Sequence, residues 1–184
     1  MVTESWRPKK WNPAQADVLE GSSDSQVRKA ESRDIRPIAE LIETRRTEYQ
    51  QYHPRFWREA TDARGKFPPT LESLLQNESA IVLVNVQGGK VNGTIIGILQ
   101  RAPAAYDPGG LTCIVDDFVV AAPTLWNSVG MALLYALTRE ARQRGAVQVA
   151  ITCARKDMRK RSMLVAHKYD LTSEWFVRDV GPGA

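Results

Sequence analysis

The chain is poor in the residues that build metal centres and disulfide frameworks. Its 184 residues include two cysteines, Cys113 and Cys153, and two histidines, His53 and His167. Both cysteines lie inside apolar runs, where the residue behaves as a small core side chain, and two make no disulfide scaffold. Without a Cys/His cluster, no metal site is expected. Long hydrophobic runs are also missing. None approaches the ~20 residues of a membrane span, so no membrane partner is expected. The opening stretch "MVTESWRPKKWNPAQADVLEGSSDSQ" has no apolar core of the secretory kind, which makes a cytoplasmic location the expectation. Charge imbalance is mild, 25 Lys and Arg against 21 Asp and Glu for a net +4, a weak argument for an acidic partner.

What remains is the composition of an ordinary globular protein, 43% hydrophobic and 25% charged, long enough for one domain with a real core. Residues 1–24 carry prolines, serines and no regular period, and read as a flexible N-terminal extension; 25–184 read as a single domain. From Val27 the pattern becomes regular. "QVRKA" reads as a strand. Ile35, Ile38, Ala39, Leu41 and Ile42 then mark one face of a helix, started by Asp34 as N-cap because that puts Pro37 in the first turn. "TLESLLQ" is a short helix after a turn-rich aromatic loop. "AIVLVNV" and "GTIIGIL" form a hairpin across "QGGKVN". A strand at about 111–120, a helix at about 126–144 closed by Gly145, the strand "AVQVAITC", the helix "KDMRKRSMLVAHKY" and a last strand "SEWFVRDV" complete the order. Early antiparallel strands followed by a strand–helix–strand crossover imply a mixed sheet with helices on both faces, an α/β (α+β) architecture.

Two stretches invite chemistry. "ARKDMRKRS", residues 154–162, holds five basic residues and reads either as a solvated helix face or as a phosphate-binding surface. It lacks the aromatic platform or helix-turn-helix pattern of nucleic-acid binders, so no nucleic acid is expected. In "TLWNSVGMALL", Gly130 sits in the first turn of the crossover helix, where it costs about 1 kcal/mol relative to alanine. Either a phosphate group approaches the helix N-terminus there, or a neighbouring side chain packs closely; sequence leaves both open.

Over about residues 26–180 the chain resembles the GNAT superfamily, the Gcn5-related N-acetyltransferases. "VRKAESRDIRPIAELI" is similar to the family's opening strand and first helix, "IVLVNVQGGKVNGTIIGIL" to its hairpin with Gly97 at the usual glycine, and "IVDDFVV" to its fourth strand. The resemblance implies a mostly antiparallel sheet of six to seven strands. It implies an acetyl-CoA-dependent N-acetyltransferase acting on a primary amine of a small molecule or peptide, with a homodimer as one arrangement; Trp6, Trp11 and Trp175 are candidates for that contact. The acetyl-CoA site would comprise Phe118, Val119 and Val120 on the strand, Leu125, Trp126, Asn127, Ser128, Val129, Gly130 and Met131 at the turn, and Arg159, with Lys156 beside it. The motif Arg/Gln-x-x-Gly-x-Gly/Ala is matched only at Gly130; Leu125 and Ser128 depart from it. The tyrosine that protonates the leaving thiolate in the family falls at Ala166, Tyr169 is out of register, and the usual asparagine falls at Arg159.

Amine acetylation needs a base. Asp116 and Asp117 lie inside an apolar strand, where carboxylates are costly unless satisfied. Strand alternation sends them to opposite faces, so one should enter the site, with Asp116 favoured; a structural pair is the alternative. Glu174 is a second candidate. Tyr106, His53 and Phe56 are candidates for the acceptor pocket, although a hydrophobic staple over the sheet edge is the preferred reading of the His53-Pro54 and Phe56-Trp57 stretch. The resemblance puts a carbonyl-polarising N–H near Val120. A catalytically silent CoA-binding or sensor module is the alternative function.

Overall fold

The computed structural model describes residues 25–181. The expectations for the extension, Trp6 and Trp11 among them, fall outside that range. A five-stranded sheet in the order β1-β2-β3-β4-β5 forms the centre. It comprises β1 (Ser25–Lys29), β2 (Ala80–Gln87), β3 (Lys90–Arg101), β4 (Leu111–Val120) and β5 (Ala146–Ile151). The first four are antiparallel neighbours, and β5 lies parallel to β4. The turn between β2 and β3 needs positive backbone angles at two successive residues, supplied by Gly88 (φ 56°) and Gly89 (φ 75°).

Helices cover both faces. On one, α1 (Ile35–Tyr52) and α2 (Ala63–Gln76) set Ile38, Ile42 and Leu71 against Val82, Val84, Ile96 and Val119. On the other, α3 (Met131–Gln143) and α4 (Met158–Ala166) bring Leu133, Leu134, Leu137 and Met163 onto Ile95, Cys113, Val115 and Phe118. Full burial of each such side chain stabilises the fold by about 1.5–3 kcal/mol. Two strand glycines let α3 approach closely. A Cβ on Gly97 would meet Leu137 Cδ1 at 2.9 Å, and one on Gly93 would meet Leu133 Cδ1 at 3.0 Å.

A 3-10 turn, Ser32–Asp34, with Glu31 as its N-cap leads into α1, and Asp34 stands at the position before α1 that the proline argument requires without a side-chain hydrogen bond to that helix. Its carboxylate accepts the Glu31 N–H at 2.8 Å and both arms of the Arg28 guanidinium, at 2.6 and 2.9 Å. Burial would raise this carboxyl, but the Arg28 fork and the Glu31 N–H together hold it below its ordinary value.

Three expectations are corrected. Among the described residues the sheet has five strands, not six or seven. Residues 173–180 make no ladder, because nothing covers either face of the segment: Trp175 is 83% exposed and Phe176 91%. The segment is tied instead to the α1–α2 loop, by Arg55–Asp179 at 3.1 Å and the Phe56–Trp175 ring contact. Finally, α2 begins before its proline pair rather than after it. Pro68 and Pro69 stand in its second turn and remove two intrahelical hydrogen bonds there, in a stretch where Gly65, Lys66, Pro69 and Thr70 are exposed to water.

Candidate active site

A single extra residue creates the site. Ile96 of β3 faces Asp117, but Gly97 faces Val115, so Asp116 is a bulge in β4. The bulge cancels the strand alternation at this point. Asp116 and Asp117 therefore both line the same cavity, where one of them had been expected to turn away. The β4–β5 ladder also ends here: the last bond runs from the Thr152 N–H to the Val115 carbonyl, and β4 continues to Val120 without a partner on that edge. The two strands part, and the peptide groups of Phe118 face the gap. Alternation turns those of Val120 the same way.

The cavity, about 510 Å³, lies on the α1/α2 side of the gap. Its aromatic wall includes Tyr49, Phe56 and Trp57, with Trp57 meeting Tyr49 at a tilt and Phe56 edge-on, and its charged groups include Arg45, Arg46, Glu59 and the two aspartates. Asp116 is exposed and accepts a hydrogen bond from Thr152 Oγ1 at 3.3 Å. Asp117 is half-buried. Burial pushes its carboxyl above the ordinary carboxylate value; Arg46 pulls it down, Asp116 pushes it up and Lys160 pulls it down, and burial prevails.

Lys160 was read only as one cation in a basic run. It is instead a buried residue, 1% exposed. It sits on α4, which packs on the α3 side of the sheet, yet it lines the cavity on the opposite side. Its side chain thus passes through the gap between β4 and β5. The ammonium donates to the Thr152 carbonyl at 2.8 Å and to the Phe118 carbonyl at 3.5 Å, and lies 5.2 Å from the Phe118 ring centre. Burial pushes its pKa down to about 8, against the opposing pull of Cys153, Asp117 and Asp116. The sequence held a signal for this: positions 160, 163 and 164 share one helical face, and the other two are Met163 and Leu164. Beside it, Asp157 caps α4 through the Lys160 N–H, pairs with Arg45 of α1, and accepts from Tyr49 Oη at 3.2 Å.

The remaining candidates are distributed unevenly. Trp126, Val129, Gly130 and Met131 are buried, as are Phe118, Val119 and Val120, while Asn127 and Ser128 are exposed and Leu125 is half-buried. The turn Trp126–Gly130 is π-helical and lays the Trp126 ring on Gly130, where a Cβ would meet Cε3 at 2.8 Å. Close packing accounts for the glycine. The Ser128 hydroxyl is turned back onto the Leu125 carbonyl, 3.4 Å away. Arg159 is exposed, and Lys156 Nζ is held by the Tyr52 carbonyl at 2.9 Å. Phe56 lines the cavity, but Tyr106, His53 and Glu174 do not: Tyr106 is 73% exposed in its loop, His53 Nδ1 accepts the Phe56 N–H, and Glu174 lies in the unpaired segment. Ala166 faces solvent, and Tyr169 is bonded to Thr138 on the α3 side at 3.3 Å.

No protein-family model and no curated protein matches the chain. Solved structures do. The BH1408 protein of Bacillus halodurans superposes with a TM-score of 0.73 over 84% of this chain and 99% of its own, at 14% identity. A Clostridium acetobutylicum protein described as a predicted acetyltransferase and solved with acetyl-CoA gives 0.64 over 85% and 96%, at 15% identity. The aminoglycoside N-acetyltransferase AAC(6')-Iy, in complex with CoA, also gives 0.64, over 89% and 100%, at 14% identity. The chain has the GNAT fold. Identity this low makes it a likeness of architecture, and the chemistry of the GNAT scaffold in this chain rests on its own residues.

Proposed function

We propose that the chain is an acetyl-CoA-dependent N-acetyltransferase that acts on a primary amine of a small molecule or peptide. The observation that carries this is the gap between β4 and β5, which opens at the Asp116 bulge directly onto a cavity bearing two carboxylates. An unpaired strand edge is a template for an extended chain with amide groups, and the arm of CoA has two amides to pair with the peptide groups of Phe118 and Val120. That pairing brings the thioester carbonyl to the Val120 N–H, which polarises it. Asp116 and Asp117 attract an ammonium group to the cavity side. Asp117, with its raised pKa, takes the proton that frees the amine for attack. The exposed start of the crossover segment, at Asn127 and Ser128, and Arg159 on α4 are the groups available to the nucleotide phosphates.

The test has two stages. Acetyl-CoA at a hundred times its dissociation constant should add about 2.7 kcal/mol to stability, read as a rise in Tm. Thiol release from acetyl-CoA is then followed with a panel of primary amines, and Asp117→Asn should lower kcat by roughly a hundredfold or more. No stabilisation by acetyl-CoA would sink the reading. A second reading, a silent CoA-binding module, draws on Lys160 bridging the gap and on a solvent-facing Ala166. It is favoured if acetyl-CoA stabilises the protein and no amine in the panel is acetylated.

A further inference from the structure

The Lys160 ammonium is a buried charge whose structural return is limited to two hydrogen bonds with backbone carbonyls. Two of its three N–H groups bond to the Thr152 and Phe118 carbonyls; the third has no hydrogen-bond partner among the described residues. A methionine or leucine at this point of the α4 face, alongside Met163 and Leu164, would fill the space without burying a charge. Buried ionisable groups of this kind gather where chemistry is done.

The position decides which chemistry. The ammonium stands in the gap between β4 and β5, against the free edge of β4, and lines the cavity together with residues of α1 and the α1–α2 loop. Acyl transfer from a thioester ejects a thiolate on the strand side while the amine attacks from the cavity side. The geometry points to Lys160 as the proton donor to the departing thiolate, an inference that rests on the acetyltransferase reading. A lysine held near pKa 8 matches an alkyl thiol, near 8.5, and so can give up its proton without a large thermodynamic penalty.

The step balances as follows. Asp117 takes one proton from the acceptor ammonium and passes it to water. The amine nitrogen bonds to the thioester carbon, the carbon–sulfur bond breaks, and its electron pair leaves on sulfur. Lys160 gives that sulfur a proton. The new amide nitrogen sheds its second proton to cavity water, from which the neutral Lys160 amine is reprotonated. One proton is released in all. The charged and titratable groups facing Lys160 are Asp116 and Asp117 from β4, Cys153 beyond β5 and Arg45 from α1, and they set its response to pH.

The experiment uses the full chain, acetyl-CoA and a panel of primary amines including 1,4-diaminobutane and a peptide with a free N-terminus. In wild type, kcat should fall as pH rises through about 8. Lys160→Met should keep the Tm rise with acetyl-CoA and an unchanged KM, lose about a hundredfold in kcat, and lose that alkaline limb. Lys160→Arg, which keeps the charge but holds its proton, should be folded and equally slow. Trimethylammonium should restore the rate of Lys160→Ala at least tenfold, whereas tetramethylammonium, a cation without a proton, should not. An active wild type with unaltered kcat and pH profile in Lys160→Met, or equal rescue by both cations, overturns the assignment alone. A wild type that acetylates nothing overturns it together with the acetyltransferase reading.

Discussion

A buried lysine leaves a mark on stability as well as on rate. The Lys160 pKa falls from its ordinary 10.5 to about 8, so the unfolded chain binds the proton more tightly than the folded one. Burial of the charge therefore destabilises the fold at neutral pH, and the cost is relieved as pH rises from about 8 to 10.5. The shift is worth roughly 3 kcal/mol. Wild type should accordingly gain about that much relative to Lys160→Met between pH 7 and 10.5, measured by urea unfolding at a series of pH values; parallel curves would show that the ammonium is not desolvated. Residue identity alone could not announce any of this. "RKDMRKR" reads as surface charge because five cations within seven residues are usually solvated, and only the register with Met163 and Leu164 marks one of them as inward. The two aspartates are the converse case. Their chemistry was visible as two carboxylates inside an apolar strand, but their shared direction was not, because a bulge depends on how β3 pairs with β4.

At the level of elements, local signals were sufficient wherever the local chain settles the matter. The diglycine turn, the start of α1 after Asp34, and the Gly145 stop after α3 each follow from backbone constraints within a few residues. They failed where the outcome needs a distant surface. Residues 173–180 have strand-forming side chains but no layer to bury them. The opening turn of the crossover shows both sides of this. Gly130 was conspicuous in the sequence, yet its role against Trp126 depends on the ring being pinned by Phe118, 4.9 Å away and edge-on. Gly130→Ala should push that ring from its place and cost about 1–3 kcal/mol by chemical denaturation, in the absence of any ligand. A loss seen only in acetyl-CoA affinity, with stability intact, would instead make the glycine a phosphate cradle.

Across the whole molecule, the two helical layers meet through the gap in the sheet. Asp157 begins α4 on one side and holds Arg45 and Tyr49 of α1 on the other, and is 3% exposed. Arg45 in turn lies against the Trp126 ring at 5.6 Å, so its charge has little water to fall back on. Removing Asp157 leaves Arg45 with Glu48 as its remaining carboxylate partner, and also takes away the α4 cap and the acceptor of the Tyr49 hydroxyl. Asp157→Ala should therefore destabilise the protein by about 2–4 kcal/mol, seen as a lower urea midpoint. A change within 0.5 kcal/mol would mean that α1 and α4 are joined by apolar packing alone.

The sequence by itself determined the order of elements from β1 to α4, the layering of helices on a mixed sheet, and the presence of paired carboxylates at the strand where the ladders part. These are consequences of hydrophobic period and turn chemistry, which act over a few residues. Only the tertiary structure decided that Asp116 and Asp117 face one cavity, that Gly130 serves a tryptophan, and that a lysine from the far layer reaches through the sheet to join them. Each of those turns on strand register or on contacts between residues tens of positions apart, and register is fixed only when the faces of the sheet are covered.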